Sequence, residues 1–418
     1  MNKVYTAEIL GVGTELLLGN ILNSDARDIS VMLSELGINV YWHSVVGDNP
    51  ARLTEVVEIA KKRADIIITT GGLGPTCDDL TKQVLAKAFG LELEFNQEAA
   101  DRMREHFTVL GKEMTDNNLQ QAYLPEGCTV FQNYWGTAPG CAFKAEGCIV
   151  LMLPGPPREC NAMFRHWAMP YLSALSDETI VSHNIRIFGM GESSVEYALR
   201  DLMNELSNPT LAPYAKEGEC MLRVTAKAHS EEEAEKMMVP VIAKVREVLG
   251  SVIYGIDANS LEETAFGLMK EQGITLAVAE SCTGGLLSKR ITDMPGASQV
   301  FLGGFIVYSN MSKSKLLGID PKLIEDKGAV SEPVAREMAS RAREKLGTDI
   351  GIGITGVAGP ETDGRNDVGV VYIALATKNE VYCRRFTLGK TRERVRLAAA
   401  NNAFDMIRRH LTGLPMDA

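Results

Sequence analysis

The sequence predicts an α/β protein built on parallel sheets, and three observations predict it. Strand-like and helix-like apolar periods alternate through residues 1–170. The same alternation restarts independently after residue 256, and glycine-rich loops follow directly on several apolar strands. A chain of 418 residues exceeds one ordinary core. It divides by pattern into an α/β domain at 1–170, a small α+β module at 171–255 and a second α/β domain at 256–418.

In the first domain YTAEILGV reads as a strand, Ser24 to Leu36 as a helix and INVYWHSVVG as a second strand. A helix from Ala51 to Lys62 and the buried-strand run ADIIITT follow. This order calls for a parallel sheet with helices on both faces, and such sheets bind ligands beyond the carboxyl ends of their strands. Glu15 follows the first strand, Asp48 the second, and TTGGLGPTCDDLT brings Asp78 and Asp79 after the third. A glycine backbone approaches phosphate closely, and carboxylates hold a divalent cation bridging its oxygens. A lone GGLG is usually a turn and a lone Asp-Asp usually a helix cap. Three such loops at neighbouring strand ends make a candidate metal and phosphate site.

The module at 171–255 contains IRIFGMGESSVEYALRDLM, a loop NPTLAPYAKEGEC, a strand MLRVTAKA, a helix from Glu231 to Leu249 and a short strand SVIYG. The polar segment IDANS marks its end, before a helix that starts at Leu261. TLAVAE is then a buried strand, with SCTGGLLSKRIT as the start of the next helix. FIVYS, a helix from Glu332 to Leu346, DIGIGITG, VGVVYIALAT, VYCRRFTL and a final helix complete the chain.

Bulk properties exclude several function classes. Lys and Arg number 43 against 54 Asp and Glu, a net charge of −11, which disfavours a broad nucleic-acid footprint. No apolar run has membrane length, and MNKVYTAEILGVG lacks the apolar core and cleavage site of a secretory signal, so a cytoplasmic protein is expected. The eight cysteines form no CxxC pair, and the six histidines show no metal-ligand spacing to one another. Neither a disulfide framework nor structural zinc is expected.

The stretch AVAESCTGG concentrates nucleophiles at a strand end. If Ser281 to Thr283 open a helix, their free amides point outward and stabilise a developing oxyanion. Either Ser281 or Cys282 then attacks a carbonyl. In this domain the lone histidine is His410, so the substitute base is Lys313, which FIVYSNMSKSKLLG brings after the next strand together with Tyr308. GITGVAGP puts Thr355 at another strand end, and RERVR puts Arg392 and Arg396 on one helix face, suited to a phosphate or carboxylate.

TELLLGNILNSDA, VVGDN, TTGGLGPTCDDLTK, GTAPG and LPGPPRE resemble the N-terminal half of the CinA (competence/damage-inducible) family, whose first domain is similar to the molybdopterin-binding MoaB/MogA fold. The resemblance implies that Thr70, Gly71, Gly72 and Asp48 bind a phosphorylated ligand, with Asp78, Asp79 and Glu15 at the metal. The implied reaction is hydrolysis of ADP-ribose to AMP and ribose 5-phosphate, with a divalent metal (Mg, Co or Mn) and potassium. FGMGES and NPTLAPYAKEGE look like family motifs as well.

AESCTGG, YSNMSK, GAVSEPVA and GITGVAGP, in that order, resemble the family's C-terminal domain, which also occurs alone as the nicotinamide-nucleotide amidase PncC. The implied reaction converts nicotinamide mononucleotide to nicotinate mononucleotide and ammonia, without a cofactor. By the same resemblance Ser281 is the nucleophile. Lys313, Tyr308 and Thr355 complete the catalytic set, and Thr283, Gly284, Gly285 and Arg392 or Arg396 contact substrate. The family is also expected to form homodimers. Two segments depart from its pattern: ETDGRNDVG places Arg365, Asn366 and Asp367 where a Lys-Pro-Val-Gly run is usual, and LGKTRERVR replaces a Gly-Asp-Arg start. A nucleotide sensor, a competence-associated interaction factor and a Cys282 nucleophile are the rival readings.

Overall fold

The computed structural model describes residues 5–175, 179–216, 218–389 and 391–416. The chain separates into two compact units, one of residues 1–182 with 226–237, the other of 183–225 with 238–418.

The first unit carries a six-stranded sheet in the order Asn39–Val46, Thr6–Val12, Ile66–Thr70, Cys148–Leu153, Gly140–Ala145, Thr129–Phe131. The first four strands run parallel, as the alternating pattern requires. Period-two alternation splits the strand Thr6–Val12 between two cores. Ala7 and Ile9 pack with Ile29 and Leu33 of the helix Ser24–Glu35. Leu10 and Val12 pack with Leu53 and Val57 of the helix Pro50–Ala60.

The last two strands are antiparallel, which the alternation did not anticipate. Gly140–Ala145 joins Cys148–Leu153 through a turn on Glu146 and Gly147, with φ of 50° and 79°, and Ala145 pairs with Cys148 across it. Positive φ at both central residues is the tight hairpin geometry, and it converts one strand return from a helical crossover into a two-residue loop.

Between the two α/β sheets in sequence lies a four-stranded sheet ordered Thr210–Lys216, Glu219–Ala228, Thr179–Ile187, Ile253–Ile256. The segment expected as a loop, NPTLAPYAKEGEC, instead supplies the strand Thr210–Lys216, paired with Glu219–Ala228 from Thr210↔Thr225 to Lys216↔Glu219. Pro213 misleads a sequence reading because it lacks an N–H. It is tolerated because the strand lies at the sheet edge, where one side needs no donor.

The second unit's larger sheet runs Phe301–Ile306, Leu276–Glu280, Ile350–Gly356, Val370–Ala376, Val381–Thr387, with the first three strands parallel and the last two joined antiparallel. Leu276 and Val278 face Ala265 and Met269 of the helix Leu261–Gln272 and Ala399 and Phe404 of the helix Arg392–Leu411. Ala277 and Ala279 face Val334 and Met338 of the helix Glu332–Leu346. Each large sheet is thus covered on both faces, with its ligand edge left to loops.

Two expectations at this edge need correction. The helix after the glycines begins at Leu286, so Ser281 to Gly285 form a turn rather than a helix start. Gly284 and Gly285, at φ of 58° and 92°, occupy the left-handed region that makes this turn possible. The strand expected at FIVYS ends at Ile306, leaving Tyr308 in the following connection. Among the described residues no helix is long and apolar enough to cross a membrane. Among the described residues no disulfide is formed; Cys77 is exposed, Cys128 and Cys383 are half-buried, and the other five cysteines are buried.

Candidate active site

Ser281 directly follows the strand Leu276–Glu280, and its N–H continues the ladder by donating to Ile354 O at 3.0 Å. Lys313 lies on the helix Asn310–Leu317, whose start is fixed by a reciprocal capping box between Ser309 and Ser312. The helix thereby aims Lys313 inward, at 1% exposure. Its Nζ donates to Ser281 Oγ and to Val307 O, both at 3.0 Å. Both acceptors are uncharged, and burial lowers the Lys313 pKa from 10.5 to about 8. A lysine in this condition is partly neutral near physiological pH and can exchange a proton with the serine.

Cys282 differs in kind. Its side chain is buried in the apolar core with Leu276 and Leu287, and burial pushes its thiol up to about 12. It is a poorly ionised core residue, and Ser281 is the hydroxyl in contact with the amine.

The structure sorts the remaining expected residues into separate contacts. Tyr308, 59% exposed, accepts at its hydroxyl from Arg392 Nη2 at 2.8 Å, and Arg392 Nη1 donates to Gly359 O at 3.0 Å. Arg396 instead spends Nε and Nη2 on Thr283 O, at 3.1 and 2.8 Å. Arg392 is therefore the exposed cation, while Arg396 braces the turn behind Ser281. Thr355 is fully buried and donates from Oγ1 to Ala329 O at 2.8 Å, tying down the GAVSEPVA loop. The Thr283 hydroxyl is buried without a hydrogen-bond partner.

Of the amides of Ser281 to Thr283 expected to point outward, that of Ser281 is spent on Ile354 O. Glu280, fully buried and missed in the sequence, accepts from the amides of Gly285, Leu287 and Ser288 and from the Ser288 hydroxyl. An acidic residue closing an apolar strand, with a polar turn after it, was the available signal. The divergent loop is also spent on structure. Arg365 donates to Asp326 O and Glu325 O near the end of the helix Pro321–Lys327, and Asn366 Nδ2 donates to Val330 O.

In the first unit, Glu15, Asp48, Gly71, Gly72, Asp78 and Asp79 line one cavity of about 510 Å³. Glu159 of LPGPPRE joins them, and so does Gln121, whose buried side-chain amide has no hydrogen-bond partner. The loop needs its glycines. At Gly71, φ is +97° and a Cβ would stand 2.2 Å from Val12 O; at Gly72, a Cβ would stand 2.1 Å from Thr81 Oγ1. Thr70 is buried at the strand end behind them. Asp48 Oδ2 accepts from Thr14 N and Thr14 Oγ1 at 2.9 and 2.8 Å, and Asp79 Oδ2 accepts from the Thr76 amide and hydroxyl.

Among the described residues no three His, Cys, Asp or Glu side chains stand close enough to hold a metal. Glu15, Asp78 and Asp79 share the cavity wall without forming a ready-made metal centre, so oxygen atoms of a ligand would have to complete any coordination shell.

Comparison with known proteins gives three matching family models. Residues 8–174 match the family described as "Probable molybdopterin binding domain", residues 182–255 the "Damage-inducible protein CinA KH domain", and residues 258–411 the "CinA C-terminal domain". The chain is 47% identical to a CinA-like protein of Dictyoglomus turgidum over 408 residues, covering 97% of this chain and 99% of that one. It is 46% identical to a CinA-like protein of Kosmotoga olearia over 410 residues, covering 98% and 99%. Among solved structures, the CinA protein from Thermoplasma acidophilum, titled as of unknown function, is 31% identical, with a TM-score of 0.38, covering 41% of this chain and 98% of that one.

Proposed function

Because the chain belongs to the CinA family, matched over nearly its whole length by CinA-like relatives, we propose that its second unit is a carboxamide hydrolase using Ser281 and Lys313, with nicotinamide mononucleotide as substrate. One observation carries this reading: a buried lysine, lowered to a pKa of about 8, lies 3.0 Å from the hydroxyl of Ser281.

The steps follow from that contact. With Lys313 neutral, its Nζ takes the Ser281 proton while Oγ attacks the carboxamide carbon, forming a tetrahedral intermediate. The resulting Lys313 ammonium returns that proton to the departing nitrogen. Ammonia leaves, and Ser281 holds the nicotinyl group as an ester. Water, deprotonated by Lys313, then cleaves the ester to release the carboxylate and restore the serine. The sum is carboxamide plus water giving carboxylate plus ammonium. In this reading Arg392, exposed beside Tyr308, meets the substrate phosphate.

Ammonia release from nicotinamide mononucleotide tests this. Wild type turns over without added metal, Ser281→Ala and Lys313→Ala each lose at least about 10²-fold in kcat, and Cys282→Ala retains turnover. Loss in Cys282→Ala with retention in Ser281→Ala would replace the nucleophile.

For the first unit, we propose that the cavity beside Gly71 and Gly72 takes a phosphorylated nucleotide, ADP-ribose being the favoured ligand. Its support is the glycine backbone and the acids on one wall. A divalent metal would polarise the pyrophosphate, and potassium belongs to the same proposal. AMP formation from ADP-ribose, with and without these ions, separates hydrolysis from sensing. A homodimer is proposed too, and sedimentation of the purified chain checks it.

A further inference from the structure

We propose that Glu280, which the reaction above does not use, is the positioning residue that holds Ser281 in place for attack. The inference rests on the reading of Ser281 as nucleophile. Glu280 is the last residue of the strand Leu276–Glu280, adjacent in sequence to Ser281, and its side chain is fully buried. A buried carboxylate is costly unless its oxygens are satisfied. Here Oε2 accepts from Gly285 N at 3.0 Å and Leu287 N at 3.1 Å. Oε1 accepts from Ser288 N at 2.8 Å and Ser288 Oγ at 2.6 Å.

These bonds close the turn onto the strand. Ser281 to Gly285 have only two short turn bonds of their own, from Gly284 N to Ser281 O and from Leu286 N to Thr283 O. Two left-handed glycines make the segment deformable, and Glu280 spans it from the residue before to the residues after. The opposite side of the turn is held by Arg396 on Thr283 O.

The main chain of Glu280 braces the other half of the pair. Its carbonyl accepts from Val307 N at 2.8 Å, and Val307 O accepts from Lys313 Nζ. One residue therefore sets the nucleophile through its side chain and borders the base through its backbone. The amides that Glu280 occupies cannot also receive an oxyanion.

Glu280→Gln keeps the shape but turns an amide NH₂ toward backbone donors, so the turn must shift. The measurements are the rate constant and the amplitude of Ser281 labelling by a fluorophosphonate, read by mass, alongside kcat and KM for ammonia release. The expected result is full labelling amplitude, a rate constant and kcat lowered about 10²-fold, and KM within about threefold of wild type, the signature of a misplaced nucleophile. A reduced amplitude with an unchanged rate constant would show that Glu280 only maintains the fold, and would overturn the proposal.

If Glu280→Gln fails to fold, Ser288→Ala removes one donor from Oε1 without adding a group. Labelling about threefold or more slower, at full amplitude, supports the proposal, and an unchanged rate refutes it. Wild-type labelling at Ser281 without ammonia release would defeat the substrate reading while leaving the positioning role measurable. Absence of wild-type labelling at Ser281 would defeat both.

Discussion

A lysine ammonium removed from water without a counter-charge is destabilised relative to its neutral form, and Lys313 shows the consequence in its pKa of about 8. If Lys313 is the base proposed above it must be neutral to act, so kcat is expected to rise as pH increases from about 7 to 9, with a midpoint near 8, in a pH–rate series. The same shift bears on stability. Between the folded value of about 8 and the unfolded value of 10.5 the unfolded chain binds the extra proton, so stability rises with pH across that window and the full penalty applies below it. That penalty is about 3 kcal/mol. Lys313→Met removes it but forfeits two hydrogen bonds of about 1 kcal/mol each. The variant is therefore expected to be about 1 kcal/mol more stable than wild type at pH 7 by urea unfolding, and to lose that advantage toward pH 10. Lys313 was legible in the sequence as the substitute for a missing histidine. Glu280 was legible only as an acid closing an apolar strand, because a linear pattern does not show that its carboxylate folds back onto amides five to eight residues later.

At the scale of elements, the strands were legible where apolar runs were dense and illegible where special turns or edges intervened. Ile66–Thr70 and Leu276–Glu280 announce themselves as buried parallel strands. The hairpin at Glu146–Gly147 needs a non-glycine residue at positive φ, and Thr210–Lys216 needs an edge to accommodate Pro213, and both depend on neighbours distant in sequence. For the glycine loop at 71–72 the sequence suggested a phosphate as the approaching group, and the structure shows Val12 O and Thr81 Oγ1 close against it. Gly71→Ala is expected to destabilise the first unit by about 2–4 kcal/mol, since both φ and the 2.2 Å approach forbid a Cβ. Chemical unfolding followed by the tryptophans measures it. Arg365→Ala should cost about 1 kcal/mol by freeing carbonyls near the end of the helix Pro321–Lys327, without changing the Ser281 labelling rate. A change in that rate would return the divergent loop to the active site.

For the whole molecule, the α/β class followed from alternation of periods and the candidate site from strand ends, because parallel sheets confine loops with free backbone groups to one edge. For the three acids expected at a metal, strand-end loops put carboxylates on one wall without fixing their mutual distances. Charge acts at this scale too. A net −11 should prevent retardation of duplex DNA in a gel-shift series from about 50 to 200 mM salt, and retardation that weakens with salt would revive the competence-factor reading. The distribution of thiols has a practical consequence. Seven of the eight cysteines are half-buried or buried, and the exposed one, Cys77, adjoins Asp78 and Asp79 on the loop that lines the first unit's cavity. The native chain therefore carries its own attachment point for a fluorophore, and a dye coupled there would report ligand entry optically, without mutagenesis and without waiting for turnover.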